Sequence, residues 1–234
     1  MGTPVRFPFG VNNSRKFGTF HQYLGMAPNK VFEDFDDFNR FAAAEWTITR
    51  VGTTPTEALT DVNGGAVLLT TVASASSSTF LQRIGASFLP AAGKQMWGST
   101  RFQVSDASDT TFAIGLQLTD TTPLDATDGM YFLKAAASTS IDFVCRKDAT
   151  TGSTSRTGIA TLTSATFIEL GFYYDGKRTI DLYVNDRNVS QLDLTTSPAA
   201  FLPDAQLRPS FGVANGASAA RTMTMDYLHF AIER

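Results

Sequence analysis

Hydrophobic and polar residues alternate with a period of two through Thr166–Leu194, TFIELGFYYDGKRTIDLYVNDRNVSQLDL. This is the pattern of β-strands that bury one face. Asp175-Gly176 joins a turn-forming residue to one that tolerates positive φ, which is a strong hairpin signal. A second turn at Asn185–Asn188 sends the chain back again. The segment therefore predicts three consecutive strands joined by two tight turns.

Comparable runs recur along the chain, at Ala66–Thr71, Gln95–Val104, Thr111–Thr119, Met130–Leu133, Ile141–Arg146 and Arg221–Ile232. The last run alternates so regularly that it predicts Tyr227 and His229 on the same strand face as Met225. Turn residues separate the runs at short, even intervals, and no internal repeat is present. This spacing predicts a sandwich of about a dozen strands in two sheets.

Residues 1–30 have a different composition and are called the arm below. The arm contains no acidic residue, and its glycines and prolines are too closely spaced for a regular element. Its aromatic residues are too frequent for a solvated linker, so we expect an extended arm before a sandwich domain at 31–234. It could pack on its own sandwich or dock on another molecule. The candidate partner-binding residues are Arg6, Phe7, Phe9, Arg15, Lys16, Phe17, Phe20 and Tyr23.

Composition excludes several classes of function. The net charge of −3 and the pI near 5.3 argue against nucleic-acid binding, and basic residues form no stripe with aromatic ones. No apolar run approaches the roughly 20 residues of a membrane span. Cys145 is the one cysteine, so no intramolecular disulfide can form and the fold must be stabilised by burial.

The sequence predicts no catalytic residue and no cofactor. Its two histidines, His21 and His229, lie in the arm and the last strand, which disfavours a Ser-His-Asp triad. Zinc is disfavoured because only one cysteine and two distant histidines are available. Glucanases with this type of fold alternate carboxylates along one strand, and the acids at Glu33–Asp37 lack that arrangement.

One loop, DTTPLDATDG, is a weak candidate for calcium through Asp120, Asp125 and Asp128. Calcium prefers several oxygen ligands from a kinked loop. The same residue types also serve a turn's own hydrogen bonds, and the spacing is not that of an EF-hand. We therefore favour a turn without metal.

Aromatic side chains leave sugar binding open as an alternative. Trp46, Trp97, Tyr131 and Tyr173 could each stack on a pyranose ring, and Trp97 and Tyr131 are our candidate glycan-binding residues. All four fall in predicted strands, where an aromatic ring more often serves the core or a sheet face.

Two resemblances extend these inferences. The aromatic-Asp-Gly turn followed by a strand ending in Tyr-Val-Asn resembles the concanavalin A-like (laminin G-like) jelly-roll family. Several segments, in order, resemble a family of tailed-bacteriophage virion proteins: FDDFNRFAAAEWTIT, ALTDVNGGAVLLT, TRFQVSDA, FAIGLQLTDTTPLDATDGMYF, FIELGFYYDGK and LRPSFGVANGASAARTMTMDY. They cover most of residues 31–234.

These resemblances imply an all-β, two-sheet antiparallel jelly-roll sandwich without enzymatic activity. They imply a capsid decoration or cement protein, made in the host cytoplasm, that binds the phage major capsid protein on the virion surface. A glycan-binding module on the head surface or a tail fibre, with a host glycan as ligand, is the alternative. Because edge strands are often covered by partners, we also expect a homodimer or homotrimer.

Overall fold

The structure is a computed structural model that describes residues 30–60, 64–85, 87–149, 154–194 and 198–234. The described residues form fifteen strands: β1 Val31–Asp36, β2 Trp46–Val51, β3 Thr56–Leu59, β4 Val67–Thr70, β5 Ser78–Arg83, β6 Met96–Val104, β7 Thr110–Gln117, β8 Gly129–Lys134, β9 Ser140–Arg146, β10 Thr154–Thr161, β11 Ile168–Tyr174, β12 Thr179–Val184, β13 Arg187–Asp193, β14 Arg208–Asn215 and β15 Thr222–Glu233. Helical structure among these residues is limited to α1 Pro198–Phe201 and two 3-10 turns, Ala43–Glu45 and Pro123–Asp125.

The strands form two antiparallel sheets. Sheet A has the order β13-β12-β11-β6-β15-β4-β3, and sheet B has the order β10-β9-β8-β7-β14-β5-β2. The twelve-residue β15 pairs with β4 at its start and with β1 at its end, so β1 completes sheet A. This arrangement confirms the predicted all-β, two-sheet antiparallel jelly-roll sandwich.

The main apolar core of the described residues lies between the sheets. Aromatic rings meet across it: the centroids of Phe102 and Phe112 are 5.0 Å apart, and those of Phe143 and Phe172 are 5.5 Å apart. Burying one such side chain contributes roughly 1.5–3 kcal/mol. The core therefore supplies the stability that the single cysteine cannot.

The predicted hairpins of Thr166–Leu194 are confirmed as β11, β12 and β13. In the first turn, Asp175 Oδ1 accepts hydrogen bonds from the backbone N–H groups of residues 177, 178 and 179 at 2.8–3.0 Å. Gly176 takes a φ of +76° there, and Asn185 and Asp186 take φ values of +48° and +65° in the second turn. Local turn chemistry thus sets both hairpins.

The predicted face of the last strand is wrong after its midpoint. A β-bulge between Met225 and Tyr227 adds one residue to β15 and reverses the alternation. Met225 and Leu228 therefore both point into the core, whereas Tyr227 and His229 lie on the outer face of sheet A.

Apart from Lys30, the arm lies outside the described residues, and so do all its candidate partner-binding residues. The first strand of the sandwich begins directly after it, at Val31. No helix in the described ranges is both long and apolar enough to cross a membrane.

Candidate functional site

Neighbouring strands of sheet A bring aromatic and polar side chains together on its outer face. Strand register defines three adjacent rows across β12, β11, β6, β15 and β1. The middle row is Tyr183, Gly171, Ser99, His229 and Phe35. The rows on either side are Asp181, Tyr173, Trp97, Ala231 and Glu33, and Glu169, Arg101 and Tyr227.

The two smallest residues at the centre, Gly171 and Ser99, form the floor of a shallow depression that we call the trough. Trp97 and Tyr173, a directly opposed cross-strand pair, form one wall, and Glu169 with Arg101 forms the other. The trough ends at Tyr183 on one side and at His229 with Phe35 on the other.

Gly171 adds no side chain to the floor of the trough. A Cβ at this position would lie 3.2 Å from the Gly98 carbonyl oxygen and 3.6 Å from Tyr183 Cβ, with no other described atom outside its chain neighbours within 4 Å. These distances leave room for little more than a Cβ at this position, and Gly171 itself is buried.

Hydrogen bonds hold the polar groups of the trough in place. Ser99 Oγ lies 3.2 Å from Glu169 Oε1, to which it donates, and 3.1 Å from the Tyr227 hydroxyl. Arg101 forms an ion pair with Asp226, and its guanidinium lies 4.2 Å from the centroid of the Phe167 ring. These contacts fix hydroxyl and carboxylate groups along one wall.

The far end of the trough combines a buried imidazole with an exposed aromatic ring. His229 Nε2 lies 2.6 Å from Glu33 Oε1, and its ring packs edge-on to Phe35 at 5.5 Å between centroids. Phe35 is 56% exposed, whereas His229 is 5% exposed. The pair presents an apolar surface to solvent with a polar group beneath it.

Tyr131, a predicted glycan-binding residue, is on the other sheet and is fully buried. Its ring packs with Phe80, Ala113, Val144 and Ala214 on the outer face of sheet B. Burial raises the pKa of its hydroxyl. The ring is not presented to a ligand, and this separates Tyr131 from Trp97.

The loop between β7 and β8 lies over the outer face of sheet B. Gln117 Nε2 donates a hydrogen bond to the Pro123 carbonyl at 2.7 Å, and Gln82 Nε2 donates one to the Leu118 carbonyl at 3.2 Å. Asp120 N in turn donates to Gln82 Oε1 at 3.0 Å. Because both glutamine side chains are buried, these bonds attach the loop firmly to the sheet.

Trp46 is also buried. It is 4% exposed and packs in the core, where its ring lies 5.4 Å from Phe211 between centroids. Of the four aromatic residues that the sequence suggested for sugar stacking, Trp97 and Tyr173 meet in one place.

The candidate calcium residues are not brought together. Asp120 Oδ1 accepts hydrogen bonds from Thr122 N and Oγ1 at 2.8 and 3.0 Å, which is turn chemistry, and Asp125 forms an ion pair with Arg146. Asp128 instead lies near two acids from other loops, Asp148 and Asp204, with carboxylate oxygens within 4.8 Å of one another.

The acids at the start of the domain have structural partners. Arg83 Nη2 lies 3.2 Å from both Asp34 and Asp36, and Arg83 Nη1 lies 3.1 Å from Glu45. Burial raises the pKa of Asp36 despite the nearby guanidinium. Asp34, Glu45 and Arg83 line an open depression of about 370 Å³. None of the described strands alternates two glutamates around an aspartate.

No protein-family model and no curated protein matches this sequence. Solved structures do match. A protein of unknown function from Shewanella oneidensis MR-1 is 14% identical, with a TM-score of 0.58 over 88% of this chain and 87% of that one. An endo-1,3-β-glucanase from Streptomyces sioyaensis is 13% identical, with a TM-score of 0.61 over 88% and 98% of the two chains. Peanut lectin is 10% identical, with a TM-score of 0.54 over 86% and 97%.

These likenesses show the fold alone, and the fold is a concanavalin A-like jelly roll, as the sequence predicted. The same sandwich carries a glycan hydrolase in one neighbour and a lectin in another. Function must therefore be argued from the residues of this chain.

Sequence reasoning identified Trp97 and Tyr173 but missed the other residues of the trough. The alternation within β11 already placed Gly171 and Tyr173 on one face. What it lacked was the pairing of β11 with β6 and of β6 with β15, which joins segments more than 60 residues apart.

Proposed function

We propose that this protein is a non-catalytic auxiliary protein of a tailed-phage virion that binds the major capsid protein and decorates the capsid surface. The ordered resemblance of segments across residues 31–234 supports the virion assignment. The sandwich would be the rigid body, and the basic, aromatic arm would make the specific contacts with the shell.

One observation carries the non-catalytic part of the proposal. The β7–β8 loop lies over the centre of the outer face of sheet B, held by the buried Gln82 and Gln117, and the described strands lack the alternating carboxylates of glucanases. Asp34 and Asp36, at the start of the domain, form ion pairs with Arg83. These features support a binding scaffold rather than a catalyst.

Charge supports the role of the arm. Its cations, Arg6, Arg15, Lys16 and Lys30, are unaccompanied by acids, which suits an acidic capsid surface. Each copy needs only a modest contact, because a shell presents many equivalent sites. The exposed edge strands, such as β13, would favour a dimer or trimer on that lattice.

The test is binding of the full chain to purified capsids that lack it, measured by co-sedimentation. The variant R6E/R15E/K16E should lose most of its binding because it reverses the charge of the arm. The control K94E/K177E/R187E makes the same charge change at three exposed positions of the sandwich and should bind like the wild type. Undiminished binding of the arm variant would defeat the role given to the arm.

Copy number in purified particles tests the position in the virion. A stoichiometry close to that of the major capsid protein is expected for a decoration protein. A few copies per particle would instead assign the protein to a tail or fibre and refute the decoration role.

Glycan binding is a second proposed function, and the trough is the observation that favours it. A decoration or fibre protein with such a site would hold the phage near polysaccharide on its host.

A further inference from the structure

We infer that the part of the arm nearest the sandwich, residues 17–29, docks across the outer face of sheet A of its own chain, over Trp97 and the trough. We call this segment the proximal arm. The basic part, residues 1–16, would then project beyond the sheet and stay available to a partner. The docking concerns the free protein and does not depend on the capsid role proposed above. A glycan could enter the trough only by displacing the proximal arm.

The composition of the proximal arm suits burial on a protein surface. Its thirteen residues, FGTFHQYLGMAPN, contain no Lys, Arg, Asp or Glu. Five of them are large and apolar or aromatic: Phe17, Phe20, Tyr23, Leu24 and Met26. This is more apolar surface than a solvated linker carries. Burial of these side chains would offset the conformational entropy that is lost when the segment becomes ordered.

The outer face of sheet A is the surface that lies closest to the start of the sandwich. The Lys30 carbonyl accepts a hydrogen bond from Arg234 N at 2.8 Å, so the arm meets the sandwich beside the end of β15. Val31, the next residue, is on the outer face and packs with Ala231 and Trp97. The proximal arm therefore begins at the edge of this face, next to its tryptophan.

The proximal arm is also long enough to cross the face. Four strand spacings separate β1 from β12, which at about 4.8 Å each gives roughly 19 Å. Thirteen extended residues can span roughly 43 Å. Residues 17–29 can therefore cross the whole trough with length to spare for turns.

Part of the outer face is buried although it points away from the core. Val31, Ala231 and His229 are each at most 5% exposed. Trp97, Tyr227 and His229 have interaction partners in addition to those named above. The face of an antiparallel sheet that does not contact the core is commonly solvated. A further layer of chain over this face accounts for its burial.

Charge favours a segment of the same chain as this layer. The arm holds four of the chain's 19 cations and none of its 22 acids, so residues 31–234 carry 15 cations and 22 acids. Glu169 and Asp181 lie on the far side of the face, on β11 and β12. Arg15 and Lys16, directly before the proximal arm, would arrive beside them. Because both partners belong to one chain, the effective concentration of the arm at this face is high.

The experiment is limited proteolysis of the full-length protein with chymotrypsin, with initial cleavage rates read from intact masses. The bond after Phe9 lies in the projecting part and is the internal reference. Each rate is normalised to the same bond in a synthetic peptide of residues 1–30. In the wild type, cleavage after the three aromatic residues of the proximal arm should be at least about tenfold slower than after Phe9, because the protease needs a locally released segment.

Trp97→Ala and Phe35→Ala remove apolar surface from the outer face of sheet A. Each should speed cleavage in the proximal arm, Trp97→Ala by about tenfold, and leave the rate at Phe9 unchanged. Leu133→Ala, a matched truncation of a half-buried side chain on the outer face of sheet B, should cleave within about twofold of the wild type. Thermal unfolding of each variant separates a released arm from a loosened fold.

Equal normalised rates at Phe9 and in the proximal arm of the wild type would overturn the inference. Wild-type protection in both Trp97→Ala and Phe35→Ala would overturn the assigned face. Protection that disappears on dilution would show docking on a second copy and would overturn docking within one chain. All rates are measured without capsids, so a failure here leaves the capsid role to its own test.

Discussion

Replacing Lys134 by methionine is expected to remove a pH dependence of stability between pH 8 and 10.5. Lys134 ends β8 with its side chain 0% exposed. Its ammonium donates hydrogen bonds to the Ser108 carbonyl at 2.6 Å and to the Thr110 carbonyl, which fastens the β6–β7 turn. Burial lowers the pKa of Lys134 from 10.5 to about 8, although Asp106 and Asp109 act to raise it.

The sign and size of the effect follow from this pKa. In the unfolded chain the lysine keeps its ordinary value, so between pH 8 and 10.5 the unfolded state binds more protons and stability rises with pH. Below this window both states are charged and the cost of burial is fully present. At about 1.4 kcal/mol for each pKa unit, the whole window is worth at most about 3.5 kcal/mol.

Other groups oppose this rise in the same range. Burial raises the pKa of Cys145 from 9.0 to about 12 and that of Tyr174 from 10.0 to about 12. For these acids the folded state retains the proton longer, so their contribution to stability falls as pH rises. Both groups are present in the wild type and in the variant, so their effect cancels in the difference.

The measurement is urea unfolding of the wild type and Lys134→Met at intervals from pH 8 to 10. The free energy of unfolding of the wild type should rise relative to the variant by about 2 kcal/mol over this interval. Lys177→Met, at an exposed lysine, is the matched control and should follow the wild type. Parallel curves for wild type and Lys134→Met would refute a depressed pKa for the buried ammonium.

Three further predictions concern packing, the thiol and the turn. Gly212→Ala should lower the free energy of unfolding by about 1–3 kcal/mol in urea titrations, because its Cβ would lie 2.3 Å from Phe80 Cδ1. Gly171→Ala, whose Cβ would have its nearest contact at 3.2 Å, should cost much less. Equal losses of stability in the two variants would contradict the packing argument. Cys145 is fully buried and its pKa is raised to about 12, so it should resist iodoacetamide at pH 8 until the protein unfolds. Alkylation of the native protein at the rate of a small thiol would show that the Cys145 thiol is accessible. Asp175→Ala leaves three turn N–H groups without their acceptor and should cost about 1–3 kcal/mol in thermal or urea unfolding, whereas an unchanged stability would mean that water replaces the carboxylate.

The hairpins show what local sequence can predict. In β11–β13 the alternation, the Asp175 turn and the positive-φ turn at Asn185-Asp186 all act within a few residues of each other. These turn contacts are local in sequence, so pattern reasoning recovers both the strands and their order.

The last strand shows where such reasoning stops. Nothing in the run around Met225 marks the bulge, because the extra residue is imposed by pairing with β6. The bulge moves Tyr227 and His229 to the outer face, and so it creates one end of the trough. A period-two pattern cannot reveal this, since a shift of one residue reverses every later side chain.

By itself, the sequence determined the fold class, the main strands, the contrast between the arm and the sandwich, and the lack of a carboxylate pattern for catalysis. These depend on composition and on contacts between near neighbours in the chain. Only the tertiary structure decided that Tyr131 is buried, that Asp120, Asp125 and Asp128 stand apart, and that Trp97 and Tyr173 are paired across β6 and β11. Each of these depends on register between strands that are distant in sequence, which is set by how the whole core packs.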